Sequence, residues 1–418
     1  MAFTFLLGWQ LARGLGAAGY GIYGVAMAVV SILGVPSQFG LPQLLTREVA
    51  SANATADRAR LSGVIRWSTR IAIVSSLVIL LLVVGWTVCR ERGVTSPLGA
   101  SLAVGALLVP LVALGAMTAA VLRGLLAVVI AQVPDNLVRP AVHSLLLGVL
   151  LIAGVAMTPV TAMSAGVVGA LVALLTGVAL VWRRLPTGWV HVPPTEFHSQ
   201  WLAAAFPMAL TEGLRVVQGQ AAILALGALV VMTEVGQFRV AASLMTLLAF
   251  PLSVFNLVAA PHVSTLAATG DHDRLRRMLA HVASGMTVSV LILVLPFAIA
   301  GRWLIATVFG SEFGDSNPIV LVLALGVLAN AAFGVGATAL NMLGHPQRVT
   351  RASVWSVAML CLLLWPCIAI LGAVGAAGAV SAAMALWSFL LWRDTKRLAG
   401  MDIGVWAWQQ ATQGKQAR

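Results

Sequence analysis

Charged residues are scarce in this sequence: Asp, Glu, Lys and Arg make up 9% of its 418 residues, while apolar residues make up 60%. Soluble domains carry about 25% charged residues, because their surface faces water. The shortage of charge therefore excludes an ordinary soluble domain. Apolar runs of about 20 residues recur along the chain, and each is long enough to cross a hydrocarbon core of about 30 Å. The sequence predicts an all-α polytopic membrane protein.

Cysteine is also scarce, and the usual motifs of soluble active sites are missing. The three cysteines do not form a disulfide framework, since Cys361 and Cys367 lie in one apolar run and Cys89 stands alone. The sequence contains no nucleotide-binding loop, no HExxH metal motif and no nucleophile elbow. These absences exclude a pump driven directly by ATP within this chain, and we expect no bound cofactor or metal.

Length and charge interruption divide the apolar runs into about twelve transmembrane helices, of which the first is short and is interpreted as truncated. The N-terminal six are Ala2–Ala12, Tyr20–Phe39, Trp67–Val88, Pro97–Val121, Ala141–Met157 and Thr161–Trp182. The C-terminal six are Trp201–Val231, Val235–Val258, Leu279–Ala300, Pro318–Met342, Val354–Leu371 and Ala373–Trp392. We therefore predict an N-terminal transmembrane lobe over residues 1–182, a cytoplasmic interlobe loop over 183–200, and a C-terminal lobe over 201–418 with a short basic cytoplasmic tail.

The basic residues lie in short connections between spans, with a strong bias to one side of the membrane. The positive-inside rule then predicts that the N- and C-termini are both cytoplasmic. The net charge of +12 follows from this topology, so it does not indicate a nucleic-acid partner.

A weak internal repeat indicates that the two predicted lobes are related. The segment that begins at Gly21 returns at Gly236, and at the same offset Val25, Ala26, Leu33 and Pro36 match Val240, Ala241, Leu248 and Pro251. An even number of spans per half predicts two pseudo-symmetric six-helix lobes, with a cavity between them near the membrane midplane.

The clearest polar positions inside an apolar span are Glu212, Arg215 and Gln218. A charge in hydrocarbon costs at least about 2.5–3.5 kcal/mol, so it needs a polar partner or a water-filled cavity. In one interpretation Arg215 faces an anionic group in the central cavity, and Glu212 is its counter-ion or a proton carrier. In the other, the two residues are a neutralised pair on one helix face that holds two helices together.

Four further residues are candidate contacts for a substrate: Arg13, Arg47, Arg139 and Asn256. Arginine suits phosphate oxygens because its planar guanidinium donates two parallel hydrogen bonds. The alternative for Arg47 and Arg139 is a topological anchor at the cytoplasmic surface. The alternative for Asn256 is a hydrogen bond between helices.

Several loose motifs follow one another along almost the whole chain. They are Ala12-Arg13-Gly14-Leu15-Gly16 with Tyr20-Gly21-Ile22-Tyr23, Gly40-Leu41 running to Arg47-Glu48-Val49-Ala50, Leu122-Arg123-Gly124-Leu125, Val235-Gly236-Gln237-Phe238-Arg239-Val240-Ala241, and Gly372-Ala373-Val374-Gly375-Ala376-Ala377. In this order and spacing the sequence resembles the Wzx-type polysaccharide or O-antigen flippases. These belong to the multidrug/oligosaccharidyl-lipid/polysaccharide exporter (MOP) superfamily.

The resemblance implies a V-shaped helical transporter in the cell inner membrane, and no enzyme. Such a transporter moves a polyprenyl-diphosphate-linked oligosaccharide by alternating access during lipopolysaccharide or other surface polysaccharide biosynthesis. It implies coupling to an H+ or Na+ gradient, which would suit Glu212, and a basic residue that engages the diphosphate, for which Arg215 fits best. We expect a monomer in the lipid bilayer that works beside other polysaccharide assembly proteins.

Three alternatives stay open at this point. A lipid II flippase would carry several arginines in its cavity, and an ion-coupled drug or cation exporter would favour an acidic cavity without cationic counterparts. A membrane glycosyltransferase or polymerase acting on the same lipid carrier would need acidic residues in a sizeable outer loop. The outer connections Cys89–Ser96 and Gly301–Asn317 are short, which disfavours the enzyme.

Overall fold

The computed structural model describes residues 2–89, 95–185, 198–269, 272–399 and 402–407, which form helices joined by short turns. In chain order the helices are α1 (Ala2–Gln38), α2 (Leu41–Ala54), α3 (Arg58–Cys89), α4 (Pro97–Ala106), α5 (Leu108–Gly124), α6 (Val128–Ala131), α7 (Arg139–Ile152), α8 (Pro159–Arg184), α9 (His198–Leu229), α10 (Met232–Leu248), α11 (Phe250–Thr269), α12 (His272–Phe309), α13 (Asn317–Phe333), α14 (Gly336–Met342) and α15 (Pro346–Ala399). A π-helical turn, Pro134–Val138, precedes α7, and a 3-10 turn, Ser311–Ser316, precedes α13. No strand occurs within these ranges, and the all-α prediction is confirmed.

The predicted first and second spans form one helix, α1, that reverses direction at Gly16. Gly16 has φ 65° and ψ 178°, a backbone conformation that glycine adopts readily because it has no Cβ. A Cβ at Gly8 would lie 3.9 Å from the hydroxyl of Tyr20, although the two residues are twelve positions apart and would be separated by about 18 Å along a straight helix. Residues 2–15 and 17–38 are therefore two arms that fold back on each other.

The predicted eleventh and twelfth spans form α15, which folds back in the same way at Gly372 (φ 55°, ψ −133°). The hydroxyl of Ser356 donates a hydrogen bond to the carbonyl oxygen of Ala383 at 2.8 Å. In a straight helix these two residues would be about 40 Å apart. Residues 346–371 and 373–399 are therefore two packed arms, which correspond to the predicted spans that end at Leu371 and begin at Ala373.

Substitution of Gly372 by alanine should lower the free energy of unfolding by about 1–3 kcal/mol, because an L-residue is strained at this φ and ψ. The added Cβ would also lie against the carboxylate of Glu234, which accepts a hydrogen bond from the backbone nitrogen of Ala373 at 3.1 Å. Gly378→Ala is the matched control, since a Cβ there meets open space on the same helix. Thermal unfolding in detergent should give a lower midpoint for Gly372→Ala alone, and equal midpoints would contradict the prediction.

Three of the predicted spans are not continuous helices. α4 ends at Ala106, since Pro110 has no N–H to bond its carbonyl. α10 ends just after Leu247 for the same reason, because Pro251 follows four residues later. The predicted tenth span divides at Gly334, where φ is 80° between α13 and α14.

Nine helical segments of the described ranges are long and apolar enough to cross a membrane. Two of them, α1 and α15, fold back and contain two of the predicted spans each. The predicted seventh span lies in α9, which has 32 residues but is not among the nine. Apolar side chains such as Ile152 and Ile299 are 90% and 77% exposed on the helix surface, where a soluble protein would be polar. The chain is a multi-pass membrane protein.

Contacts divide the chain into two compact units, Met1–Gly227 and Ala228–Arg418. In the first unit Trp201 of α9 packs against Trp67 of α3, with ring centroids 5.3 Å apart. α9 thus packs within the first unit, although the predicted C-terminal lobe begins at residue 201. The lobe limits remain a prediction, and residues 186–197 of the predicted interlobe loop lie outside the described residues.

In the second unit, residues 402–407 pack against the end of α13. The Nε1 of Trp392 donates a hydrogen bond to Oδ1 of Asp402 at 2.8 Å. The backbone nitrogen of Val405 donates to the carbonyl oxygen of Ala332 at 2.8 Å. The first bond joins the segment after α15 to α15 itself, and the second joins it to the end of α13.

Candidate functional site

α9 comes close to the junction of α1 and α2, where Gly40 makes the approach possible. Gly40 has φ 69°, and a Cβ there would overlap the carbonyl oxygen of Ala205. Further along α9, a Cβ at Gly213 would lie 3.5 Å from Cγ1 of Val35. α9 therefore runs along the second arm of α1, which brings Glu212 beside that arm.

A cavity of about 260 Å³ lies at this place within the first unit. Its lining comes from α1, the start of α2, α5, the π-helical turn and α9: Ser31, Gly34, Val35, Gln38, Gly40, Pro42, Gln43, Ala116, Ala119, Arg123, Asp135, Glu212 and Val216. The polar groups are a guanidinium, two carboxylates, two amides and a hydroxyl. Such a set can bind hydroxyl groups and charged groups together, and it faces a space slightly smaller than the 300–1,000 Å³ typical of ligand sites.

The charges around the cavity nearly balance. Asp135 and Glu212 carry two negative charges when ionised, and Arg123 carries one positive charge. Arg215 supplies the second positive charge: its Nε donates a hydrogen bond to Oε2 of Glu212 at 3.1 Å, and its Nη2 pairs with Oε1. Arg215 pairs with Glu212 and lies outside the lining, so Arg123 is the guanidinium in the cavity lining.

Asp135 enters the cavity from the π-helical turn Pro134–Val138 rather than from a regular α-helix. The backbone N–H of Arg139 bonds to the carbonyl oxygen of Pro134, five residues back instead of four. A π-helical turn contains one residue more than the α-helical turn it replaces, and such turns occur frequently at functional sites. The turn therefore sets the direction of Asp135 separately from that of α7.

The three residues predicted on α9 differ in their surroundings. Glu212 lines the cavity and its side chain is 33% exposed. Arg215 binds Glu212 but its own side chain is 72% exposed and is not part of the lining. Gln218 is half-buried one turn further on and also lies outside the lining.

The cavity lining does not include the other predicted contacts. The guanidinium of Arg13 lies 5.7 Å from the ring centroid of Trp9 on the first arm of α1. Arg139 is half-buried at the start of α7. In the second unit, Oδ1 of Asn256 accepts a hydrogen bond from Oγ1 of Thr338 at 2.7 Å, so this amide joins α11 to α14. Their roles as substrate contacts remain predictions.

Arg47 has a partner outside the cavity, the buried carboxylate of Glu48. The Nη2 of Arg47 lies 3.0 Å from Oε1 of Glu48, and Nη2 of Arg60 lies 2.6 Å from Oε2. Burial opposes ionisation of Glu48, whose side chain is 5% exposed, but hydrogen bonds from Arg60 and Arg47 outweigh it and lower the pKa of Glu48. This cluster of three charged residues fastens α2 to the start of α3.

Sequence reasoning did not select four of the polar residues that line the cavity: Gln38, Gln43, Arg123 and Asp135. Arg123 counts in the sequence as one of many basic residues at the predicted cytoplasmic side. The sequence contained one indication of their role, which is their shared position: all four lie at the ends of predicted spans on the predicted cytoplasmic side. Among the described residues, no group of three or more His, Cys, Asp or Glu side chains is placed to hold a metal ion.

Comparisons with known proteins agree with this architecture. The family model for polysaccharide biosynthesis proteins matches residues 2–267. No match is found among curated proteins. An inward-facing multidrug resistance MATE family transporter of the MOP superfamily is 13% identical, with a TM-score of 0.73 over 99% of this chain and 95% of that one. The lipid II flippase MurJ in an inward closed conformation is 13% identical, with a TM-score of 0.60 over 94% of this chain and 87% of that one.

A MOP superfamily transporter from Pyrococcus furiosus is 11% identical, with a TM-score of 0.63 over 95% of this chain and 91% of that one. At such low identities the similarities establish the fold alone, which this chain shares with these three transporters. The family model covers more than half of the chain and agrees with the resemblance to the Wzx-type flippases. The chain belongs to the family of polysaccharide biosynthesis proteins and has the fold of the MOP superfamily transporters.

Proposed function

We propose that this protein is a flippase for a polyprenyl-diphosphate-linked oligosaccharide, which it moves from the inner to the outer leaflet of the cell inner membrane. Family membership supports a role in polysaccharide biosynthesis, and the transporter fold supports movement across the bilayer. The observation that carries the proposal is the cavity of the first unit, where Arg123 and two glutamine amides face the same space as two carboxylates.

The cavity residues suit the two chemical parts of such a substrate. Arg123 would donate hydrogen bonds to diphosphate oxygens, since a guanidinium matches phosphate geometry. Gln38, Gln43 and Asp135 would exchange hydrogen bonds with sugar hydroxyls. The volume of about 260 Å³ suits the diphosphate or one sugar at a time, while the polyprenyl chain stays in lipid.

Arg215 and Glu212 are the residues that we propose to link substrate binding to an ion gradient. When H+ or Na+ binds the carboxylate of Glu212, the guanidinium of Arg215 is released from its partner and becomes available to the diphosphate. Loss of the ion would restore the pair and expel the phosphate. The two states would thus alternate with opening to either side of the membrane.

The proposed orientation has both termini in the cytoplasm. The bias of Lys and Arg toward the connections on that side supports it. The polar lining residues Gln38, Arg123 and Asp135 lie at span ends on the same side, where a substrate made in the cytoplasm would enter.

A second candidate function is ion-coupled export of organic cations. The observation that favours it is the pair of carboxylates in the cavity, Asp135 and Glu212, against the single cavity-lining guanidinium of Arg123. A cation would bind between the two carboxylates, while a diphosphate would bind at Arg123. A lipid II flippase would use the same diphosphate contact and would differ in the sugar that it carries.

Genetic complementation tests the proposed function. We expect that expression of this chain in a bacterial strain without its polysaccharide flippase will restore surface glycan. Arg215→Ala should abolish that export at an equal amount of membrane protein, because the diphosphate loses its released guanidinium. Surface glycan is measured by gel staining and protein by immunoblot.

Arg302→Ala is the matched control, since Arg302 forms an exposed ion pair with Asp315 in the second unit, with side chains 79% and 71% exposed. It should leave export unchanged. Full export by Arg215→Ala would contradict the role given to Arg215. Absence of glycan rescue together with new efflux of a cationic dye would favour the second candidate.

A further inference from the structure

A second cavity, of about 480 Å³, lies between the two arms of α15 in the second unit. Its lining is Arg351, Ala352, Trp355, Leu386, Leu390, Arg393 and Asp394. The arms are fixed next to it, because Nε1 of Trp387 donates a hydrogen bond to Oγ of Ser353 at 3.1 Å. The cavity is therefore held by two packed helices, and it shares no residue with the cavity of the first unit.

The guanidinium groups at this cavity outnumber the carboxylates. Asp394 is the nearby carboxylate, and its contacts with Arg348 and Arg393 are long, at 3.8 and 3.5 Å. Arg351 is exposed and makes no ion pair or hydrogen bond within the described part of the chain. The Nε of Arg393 is buried and has no hydrogen-bond partner there. The lining has two guanidinium groups and one carboxylate, and Arg348 adds a third guanidinium beside Asp394, so positive charge is in excess and has unused donors, which favours a phosphate group.

The surface next to the cavity is apolar. Trp355, Leu362 and Trp365 follow one another along the first arm with 61%, 75% and 68% of their surface exposed. They cover about 15 Å of helix length, which suits part of an acyl chain. Tryptophan is common at the level of lipid headgroups, and basic pockets between transmembrane helices on the cytoplasmic side bind anionic headgroups.

We propose that this cavity is a binding site for an anionic phospholipid of the cytoplasmic leaflet. Arg351 and Arg393 hold the headgroup phosphate, and one acyl chain lies along Trp355, Leu362 and Trp365. Asp394 lies beside the guanidinium groups of Arg348 and Arg393 and keeps both directed toward the phosphate. The bound lipid joins the two arms at the end opposite to the Gly372 turn.

Native mass spectrometry of the full chain, with phosphatidylglycerol or phosphatidylcholine added to a neutral detergent, tests this site. We expect phosphatidylglycerol to bind at least ten times more tightly than phosphatidylcholine. The double variant Arg351→Gln/Arg393→Gln should lose that preference. The matched control is Arg183→Gln/Arg184→Gln, two exposed arginines at the end of α8, which should keep it.

Two further variants keep the test decisive. Arg351→Gln alone removes a side chain without a partner, so it leaves the fold intact and should weaken phosphatidylglycerol binding several-fold. Trp355→Ala should weaken the lipid but not inorganic phosphate, which we add as a competitor. Equal lipid binding by the wild type and the double variant would overturn the proposal. Full displacement of the lipid by millimolar inorganic phosphate would also overturn it, and would indicate a site for free anions instead.

Discussion

Arg123→Glu should reduce export of the lipid-linked glycan by about 100-fold. The substitution would give the cavity three carboxylates, with Asp135 and Glu212. A new negative charge about 5 Å from a phosphate costs about 3 kcal/mol at an effective dielectric constant of about 20, and each 1.4 kcal/mol is about tenfold in binding. The measurement is surface glycan in the complemented strain, normalised to the amount of protein in the membrane.

Arg184→Glu makes the same change of charge at the end of α8 and serves as the matched control, because its side chain is exposed and does not line the cavity. It should leave export near the wild-type level. Arg123→Lys keeps the charge but removes the planar fork of donors, so intermediate export is expected. Normal export by Arg123→Glu would exclude diphosphate binding at this residue, and increased cation efflux would favour the exporter.

Glu48→Ala should lower the free energy of unfolding by about 2–3 kcal/mol. Breaking a fully buried ion pair costs about 3–5 kcal/mol, and the cost is smaller here because the side chains of Arg60 and Arg47 are 35% and 55% exposed. The variant leaves both guanidinium groups without their carboxylate and loosens α2 from α3. Thermal unfolding in detergent measures the effect. Asp315→Ala removes one carboxylate from the exposed pair with Arg302 and should have little effect.

The pH dependence of the free energy of unfolding independently tests whether the ionised carboxylate of Glu48 stabilises the fold. Its pKa is lowered in the folded protein from the ordinary value of 4.5. A lowered pKa contributes stability that is present above 4.5 and is lost as the pH falls through the folded-state value. Wild-type protein should therefore lose stability more steeply below about pH 4.5 than Glu48→Gln, in which this group does not titrate. Parallel curves for the two proteins would contradict the role of the charged cluster.

The fold was largely predictable because hydrocarbon imposes length and polarity on each span. The membrane-spanning helices, the turn at Gly372 and the family followed from apolar runs, predicted span ends and motif order. The divisions before Pro110 and Pro251 were less evident, since a proline inside a transmembrane helix does not always interrupt it. Pro36 and Pro207 lie within helices that continue through them.

The site was predictable only in part. Glu212 stood out because it is charged inside an apolar span, and it does line the cavity. Arg123 and Asp135 lie at span ends, where a charge is ordinary, so only their meeting in space distinguishes them. The ion pair between Glu48 and Arg60 was not predictable from the sequence for a similar reason. The two residues lie on different helices and meet only because α2 packs on α3.

The π-helical turn before α7 is equivalent to an α-helical turn with one inserted residue. Deletion of one residue between Asp135 and Arg139 would restore α-helical hydrogen bonding and turn Asp135 by about 100° relative to α7. α7 and α8 would keep their packing, while the cavity would exchange a carboxylate for a different neighbour. Insertions and deletions of single residues at this turn would therefore change the charge of the cavity in one evolutionary step, without any substitution in the cavity wall.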